Sequence, residues 1–102
     1  MARMVVMYKT PKDPAAFDRH YFATHVPIAK RIPGLRKYEV SRGAVASPAG
    51  ASGVHFVAVL HFDDMAAVGA AFASAEGKAA VADVGTFATG GVDILMFDQR
   101  EV

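Results

Sequence analysis

The stretch VHFVAVLHF, from Val54 to Phe62, decides the fold, because successive residues of a β-strand point to opposite sides of its sheet. It has no proline or glycine and is rich in β-branched and aromatic residues, which predicts a strand. One predicted face carries Val54, Phe56, Ala58, Leu60 and Phe62. The other carries His55, Val57, Val59 and His61. Both faces are apolar at their centres, so we expect both to be covered.

Three further segments have the composition of strands, namely residues 3–9, 35–42 and 92–99. The first and last of them are also apolar on both faces. Between the second and third strands, residues 43–53 (GAVASPAGASG) are small and rich in glycine, which predicts a flexible surface loop.

A first helix is predicted from Pro14 to about residue 32, because apolar residues recur at helical spacing after Asp13. Asp13 can cap the helix, and a proline at the first helical position lacks only an N–H that would have no partner there. Pro27 removes one backbone hydrogen bond and is expected to kink or divide this helix just after His25.

A second helix is predicted to begin after Asp63 or Asp64, to be interrupted near Gly77, and to continue through Phe87. The order of elements is therefore βαββαβ in a single domain, residues 1–102. This order predicts an α+β sandwich with a four-stranded antiparallel sheet.

The apolar second face of the sheet requires a partner. Two helices cover only one face of four strands, and an exposed apolar face of that size is rare in soluble monomers. A homodimer formed through the sheet face is the simplest cover. The alternative is that the loop at 43–53 or the short tail after Gln99 folds over it.

Composition excludes several classes of protein. The chain has 102 residues, of which 53% are hydrophobic and 21% charged, so it is not disordered. A net charge of +1 gives no reason to expect nucleic acid or an anionic membrane as a partner. There are no cysteines, which rules out disulfides and thiol chemistry, and no segment has the length of a membrane span. A cytoplasmic location is the expectation.

RNA-recognition domains share the βαββαβ order and are an alternative interpretation of it. Their third strand carries aromatic residues for base stacking. Here Phe56 is present, but Val54 and Val59 stand where flanking aromatics would be needed.

The run FDRHYFATHVPIAKRIPGLRKYEV resembles the EthD family, and so does HFDDMAAVGAAFASAEGKAAVADVGTF in the second half. The resemblance covers nearly the whole chain. It implies a ferredoxin-like fold in the dimeric α/β-barrel superfamily. The family takes its name from ethyl tert-butyl ether degradation, and some relatives resemble dehydratases or cyclases of polyketide intermediates. Others in the superfamily are cofactor-free monooxygenases.

We predict His25 and Tyr21 as catalytic residues. His25 matches the family's helix histidine and faces inward four residues after Tyr21, and an imidazole exchanges protons at physiological pH. The structural alternative is that the ring hydrogen-bonds a carbonyl freed by Pro27. Tyr8, His61 and Phe17 are predicted ligand-binding residues. Asp83 matches the family's helix aspartate and is expected to cap or tether the second helix segment, a structural and not a catalytic role.

Neither a metal nor a cofactor is expected. His55 and His61 lie six residues apart on a strand, roughly 20 Å, so one ion cannot bind both. His20 and His25 are five apart on a helix and are expected to point in different directions.

Two functions remain open. One is a small acid/base enzyme acting on a hydrophobic, aromatic or polyketide-like molecule. The other is a non-catalytic binding or accessory dimer.

Overall fold

The structure is a computed structural model that describes all 102 residues. Its strands are β1 (Ala2–Lys9), β2 (Lys37–Val40), β3 (Ala46–Ser47), β4 (Gly50–Ala51), β5 (Val54–Phe62) and β6 (Val92–Asp98). Its helices are α1 (Pro14–His20), a π-helical turn (Tyr21–His25), α2 (Val26–Ala29), α3 (Met65–Ala73) and α4 (Ala75–Phe87).

Four strands form one antiparallel sheet in the order β2-β5-β1-β6. At its centre Val6 of β1 lies between Ala58 of β5 and Ile94 of β6. Burial along β1 and β5 alternates as the sequence predicts, because the helices cover only the face that carries Met4, Val6, Tyr8, Phe56, Ala58, Leu60 and Phe62. The predicted α+β fold with a four-stranded antiparallel sheet is confirmed.

The core between this face and the helices is rich in aromatic rings. Phe17 of α1 contacts Tyr8 and Phe87 with ring centroids 5.2 Å apart in each case, and both pairs are edge-to-face. Such pairs stabilise a fold by about 0.5–1.5 kcal/mol beyond the area they bury. This cluster fixes α1 and the end of α4 against β1.

The first helix begins as predicted. The Asp13 carboxylate accepts a hydrogen bond from the Ala16 N–H at 3.1 Å, and Pro14 occupies the first turn. Contrary to the prediction from Pro27, the helix is not divided after His25: α2 follows the π-helical turn directly at Val26, and the backbone on both sides of this junction is helical. In the second helical region, Asp64 is the residue that caps, accepting from the Ala67 N–H at 2.7 Å.

The interruption of the second helix lies at Ser74, not near Gly77 as predicted. Ser74 adopts an extended backbone, and its hydroxyl accepts from the Gly77 N–H at 3.0 Å. Gly77 lies inside α4, where a Cβ would stand 2.1 Å from the Ala71 carbonyl oxygen. The glycine therefore allows α4 to approach the end of α3, whereas the serine ends one helix and starts the next.

The segment at 43–53 was predicted to be a flexible loop, and this is corrected in part, because β3 and β4 form a small hairpin within it. Ala46 pairs with Ala51 and Ser47 with Gly50. The Ser52 hydroxyl donates to the Val45 carbonyl at 2.6 Å, which closes the hairpin base.

The second face of the sheet is not covered within the chain. Neither the hairpin nor the tail folds over Val5, Met7, Val57 and Val59, which are only partly buried. We call these four residues, with Leu95 and Phe97, the open face. Leu95 is 55% exposed and Phe97 44% exposed. No helix in the structure is both long enough and apolar enough to cross a membrane.

Candidate functional site

A π-helical turn at Tyr21–His25 shapes the site. The Val26 N–H donates to the Tyr21 carbonyl, five residues earlier, and Pro27 next along the chain has no N–H to continue α-helical pairing. A turn closed over five residues aligns side chains five apart. His20 and His25 were expected to point in different directions, and this expectation is wrong, because the wider turn directs both rings to the Asp83 carboxylate.

Asp83 of α4 binds both histidines. His20 Nε2 lies 3.0 Å from Asp83 Oδ1, and His25 Nδ1 lies 2.8 Å from Asp83 Oδ2. The Asp83 side chain is only 11% exposed. Its partial burial opposes ionisation, but the hydrogen bonds from His25 and His20 outweigh that effect and hold the pKa of Asp83 below its usual value. An ionised carboxylate only accepts hydrogen bonds, so both histidine nitrogens donate to it.

The His25 ring is buried, and Asp83 determines which nitrogen carries its proton. Burial lowers the pKa of His25, and the hydrogen bond to Asp83 opposes this shift only in part. The neutral ring therefore has its proton on Nδ1, and Nε2 is left as an acceptor. Nε2 makes no hydrogen bond with the protein, yet it is not enclosed. The ring therefore bonds the Asp83 carboxylate and not, as the structural alternative had it, a carbonyl freed by Pro27.

A cavity of about 310 Å³ lies between the helices and the covered face of the sheet. That volume is at the lower end of the range for small-molecule sites, about 300–1,000 Å³. Its wall is apolar apart from His25 and three tyrosines, Tyr8, Tyr21 and Tyr38. At its mouth stand Val81, Ile94 and Met96, which are 44–55% exposed. The cavity is therefore open to solvent between α4 and β6.

The three tyrosines lie close together in this wall. The Tyr21 and Tyr38 hydroxyls are 2.5 Å apart, and the Tyr8 and Tyr21 rings are 5.8 Å apart. Burial raises the pKa of all three, so each keeps its hydroxyl hydrogen at neutral pH. Tyr38 was not identified from the sequence. It lies on a short strand that alternates only partly, and nothing in that pattern indicated that it meets Tyr21.

The predicted site residues divide into two groups. The structure brings His25, Tyr21 and Tyr8 together in the cavity wall. Phe17 packs inside the aromatic core and does not line the cavity, while His61 lies on the opposite side of the sheet, 2.6 Å from Glu39 Oε1. No three His, Cys, Asp or Glu side chains are grouped so that they could hold a metal ion.

Comparisons with known proteins agree with this architecture. The model of the EthD domain matches residues 9–91. An uncharacterized 11.0 kDa protein in the thcB-thcC intergenic region of Rhodococcus erythropolis is 40% identical, over 100% of this chain and 98% of that protein. The crystal structure of an EthD family protein from Bacillus halodurans is 35% identical with a TM-score of 0.89, covering 98% and 99% of the two chains.

Two more distant structures share the fold alone. SnoaB, a cofactor-independent oxygenase from Streptomyces nogalater, is 18% identical with a TM-score of 0.69, over 99% of this chain and 94% of its own. A dimeric ferredoxin-like protein of unknown function from Thermobifida fusca is 16% identical with a TM-score of 0.70, over 96% and 90%. With a family model over most of its length and a relative 40% identical end to end, this chain belongs to the EthD family and has a ferredoxin-like fold.

Proposed function

We propose that this protein binds a hydrophobic small molecule in the cavity and catalyses proton transfer on it, with His25 as the base. One observation carries the proposal. His25 Nδ1 is held by Asp83, and its Nε2 stands without a protein partner in the wall of an apolar cavity. A base held by a second group, with its free atom toward a substrate site, is the arrangement that acid/base catalysis needs.

The chemistry follows from the protonation states of the side chains. His25 is neutral at neutral pH because burial lowers its pKa, so Nε2 can accept a proton. The resulting imidazolium is stabilised by the Asp83 carboxylate at 2.8 Å. Abstraction of a C–H proton beside a carbonyl leaves its electron pair in a new C=C bond, and the carbonyl becomes an enolate oxygen. Return of the proton completes a tautomerisation without a redox step.

The apolar wall favours an aromatic or polyketide-like substrate, and such molecules carry the ketones and enols that this step requires. SnoaB, which has the same fold, is a cofactor-independent oxygenase, so the fold can host a reaction that uses no cofactor. For the protein described here we propose proton transfer by its own side chains.

Deuterium exchange into β-tetralone, a bicyclic ketone with acidic C–H bonds, tests the proposal. Proton NMR in deuterium oxide follows loss of the C–H signal with wild type, His25→Gln and His61→Gln. General-base catalysis typically contributes 10²–10⁴-fold, so we expect His25→Gln to lower the protein-catalysed rate by about 10²-fold or more. His61→Gln, the same change outside the cavity, is expected to leave it unchanged.

A wild-type rate equal to that of buffer, or equal rates for wild type and a folded His25→Gln protein, would contradict catalysis. Binding of β-tetralone without exchange would support the other hypothesis, a non-catalytic or accessory protein that holds its ligand.

We further infer that two copies of the chain pair through the open face. The face is apolar and nothing within the chain covers it. A standard interface buries about 800 Å² per partner, and at about 25 cal/mol per Å² burial of its apolar part supplies a large gross driving force. The Thermobifida fusca protein that shares the fold is dimeric, which supports this arrangement.

A charge placed on the open face tests the pairing. Val59 lies at the centre of that face, so Val59→Lys places a charge there. We expect this variant to sediment as a monomer at micromolar concentration and wild type to sediment as a dimer. Ala79→Lys, on the exposed side of α4, is the matched control and should remain dimeric. A monomeric wild-type protein would overturn the inference.

A further inference from the structure

The polar side chains in the cavity wall are of only two kinds, histidine and tyrosine. Four side chains there can form hydrogen bonds, His25, Tyr8, Tyr21 and Tyr38, and none of them is a lysine or arginine. The wall therefore offers hydroxyl donors and one imidazole acceptor, but no cation. This composition selects among ligands by the chemistry of their oxygen atoms.

Tyr8 has a hydroxyl that the protein does not use. The residue is 1% exposed, and its hydroxyl forms no hydrogen bond with the protein. The hydroxyl oxygen still keeps some accessible surface, because Glu76 Oε2 is the only side-chain polar atom that is both buried and unpaired. Its remaining surface faces the cavity that it lines. A hydroxyl that opens into an apolar cavity and has no protein partner is free to donate its hydrogen to a ligand that can accept it.

Tyr21 and Tyr38 supply a second donor. Their hydroxyls are bonded to each other, so one hydrogen is used within the pair and one remains. Tyr21 is fully buried, whereas Tyr38 is partly exposed on the edge strand β2. If Tyr21 donates to Tyr38, the spare hydrogen belongs to Tyr38, which is the more exposed member of the pair.

An anionic ligand would meet an unfavourable site. A carboxylate in this wall would lack a countercharge, and Asp83 already lies behind His25 with a negative charge. Burial of an unpaired charge costs several kcal/mol in proteins. A neutral carbonyl oxygen needs only hydrogen-bond donors, which the tyrosines provide.

We propose that the Tyr8 hydroxyl and the Tyr21–Tyr38 pair form an oxygen-binding subsite that takes the carbonyl oxygen of a neutral, apolar ketone or enol and rejects carboxylates. This inference rests on the proposed function, because the same ketone would present its C–H bond to His25. In that step the carbonyl oxygen gains electron density as the C–H pair moves into the C=C bond. Hydrogen bonds from tyrosine hydroxyls stabilise that oxygen.

Binding of three matched ligands tests the subsite. Calorimetry compares tetralin, β-tetralone and the β-carboxylate of tetralin, which share one bicyclic body and differ in the oxygen group. With wild type we expect β-tetralone to bind about 3–10-fold more tightly than tetralin, the effect of one or two ordinary hydrogen bonds. The carboxylate is expected to bind more weakly than tetralin.

Tyr8→Phe and Tyr38→Phe each remove a single hydroxyl, and each should reduce the ratio of β-tetralone affinity to tetralin affinity relative to wild type. Thr10→Val removes a hydroxyl that does not line the cavity and is the control. Denaturation with urea confirms that each variant is folded. Retention of the full preference in both folded variants would overturn the subsite, and so would tight binding of the carboxylate.

These outcomes separate the subsite from the proposed function. If tetralin and β-tetralone bind equally and His25-dependent exchange persists, only the subsite is wrong. If neither compound binds to wild type, the cavity is not a ligand site and both proposals are overturned.

Discussion

Two histidine–carboxylate pairs lie on opposite sides of the same sheet. His25 contacts Asp83 at 2.8 Å beneath the helices, and His61 contacts Glu39 at 2.6 Å beside the open face. The pairs are alike in chemistry and length, but their surroundings differ. The Asp83 side chain is 11% exposed and that of Glu39 51% exposed.

The difference shows that surroundings give a pair its capacity for chemistry. Burial lowers the pKa of His25, so its ring stays neutral beside an ionised carboxylate. At the other pair the hydrogen bond from His61 lowers the pKa of the exposed Glu39. Only the pair beneath the helices borders a cavity.

The largest expected difference between the two pairs appears when the carboxylate of each pair is removed. Asp83→Ala leaves the buried His25 donor without an acceptor and also releases His20, so the free energy of unfolding should fall by about 1–3 kcal/mol or more. Glu39→Ala removes a solvent-exposed partner and should change it little. Urea denaturation at one fixed protein concentration measures both. Equal losses would contradict the contrast between the two pairs.

The dependence of stability on pH provides the next test. The folded-state pKa of His25 lies below its unfolded value of about 6.5, so the unfolded chain binds more protons as pH falls below that value. Stability is therefore expected to be highest above about pH 6.5 and to decrease on acidification. The lowered carboxyl pKa values of Asp83 and Glu39 act in the same direction, but only below about pH 4.5, where these groups become protonated in the unfolded chain.

His25→Gln removes the titrating ring and should flatten the stability curve between about pH 7 and pH 5, measured by urea denaturation. A His25→Gln protein with an unchanged slope would show that another group causes the acid sensitivity.

The smallest effect concerns His20, the more exposed partner of Asp83. A protonated His20 lowers the pKa of His25 through repulsion of like charges, so His20→Gln should raise the pKa of His25 slightly in an NMR titration. His55→Gln, whose ring bonds Asp18 away from the cavity, is the control and should not change it. A fall in the pKa of His25 on replacing His20 would contradict the repulsion between the two rings.

The fold could be predicted because its signals are local and periodic. Alternation in VHFVAVLHF predicted both faces of β5, and Asp13 before Pro14 predicted the start of α1. The break at Ser74 was placed three residues late, because glycine is the stronger breaker in sequence while serine makes the hydrogen bonds that cap the helix here.

The site was less accessible to sequence reasoning. Helical spacing placed His25 and Tyr21 together. The same α-helical periodicity separates His20 from His25, and the π-helical turn that brings them together has little sequence signal other than Pro27. Asp83 and Tyr38 reach the site from α4 and β2, and contacts between distant segments are not encoded in local patterns. His61 was predicted as a ligand-binding residue, but the alternation of the strand does not tell which of its two faces the helices cover, and the structure pairs His61 with Glu39 on the other face.

The protonation state of the His25 ring tests the central claim most directly. Ring-nitrogen NMR shifts of the labelled protein at neutral pH, assigned with His25→Gln, distinguish the two neutral tautomers from the imidazolium. We predict a neutral ring with its proton on Nδ1, bonded to Asp83, and an unprotonated Nε2. A ring protonated on Nε2, alone or in addition to Nδ1, would contradict the assignment of Nε2 as the base.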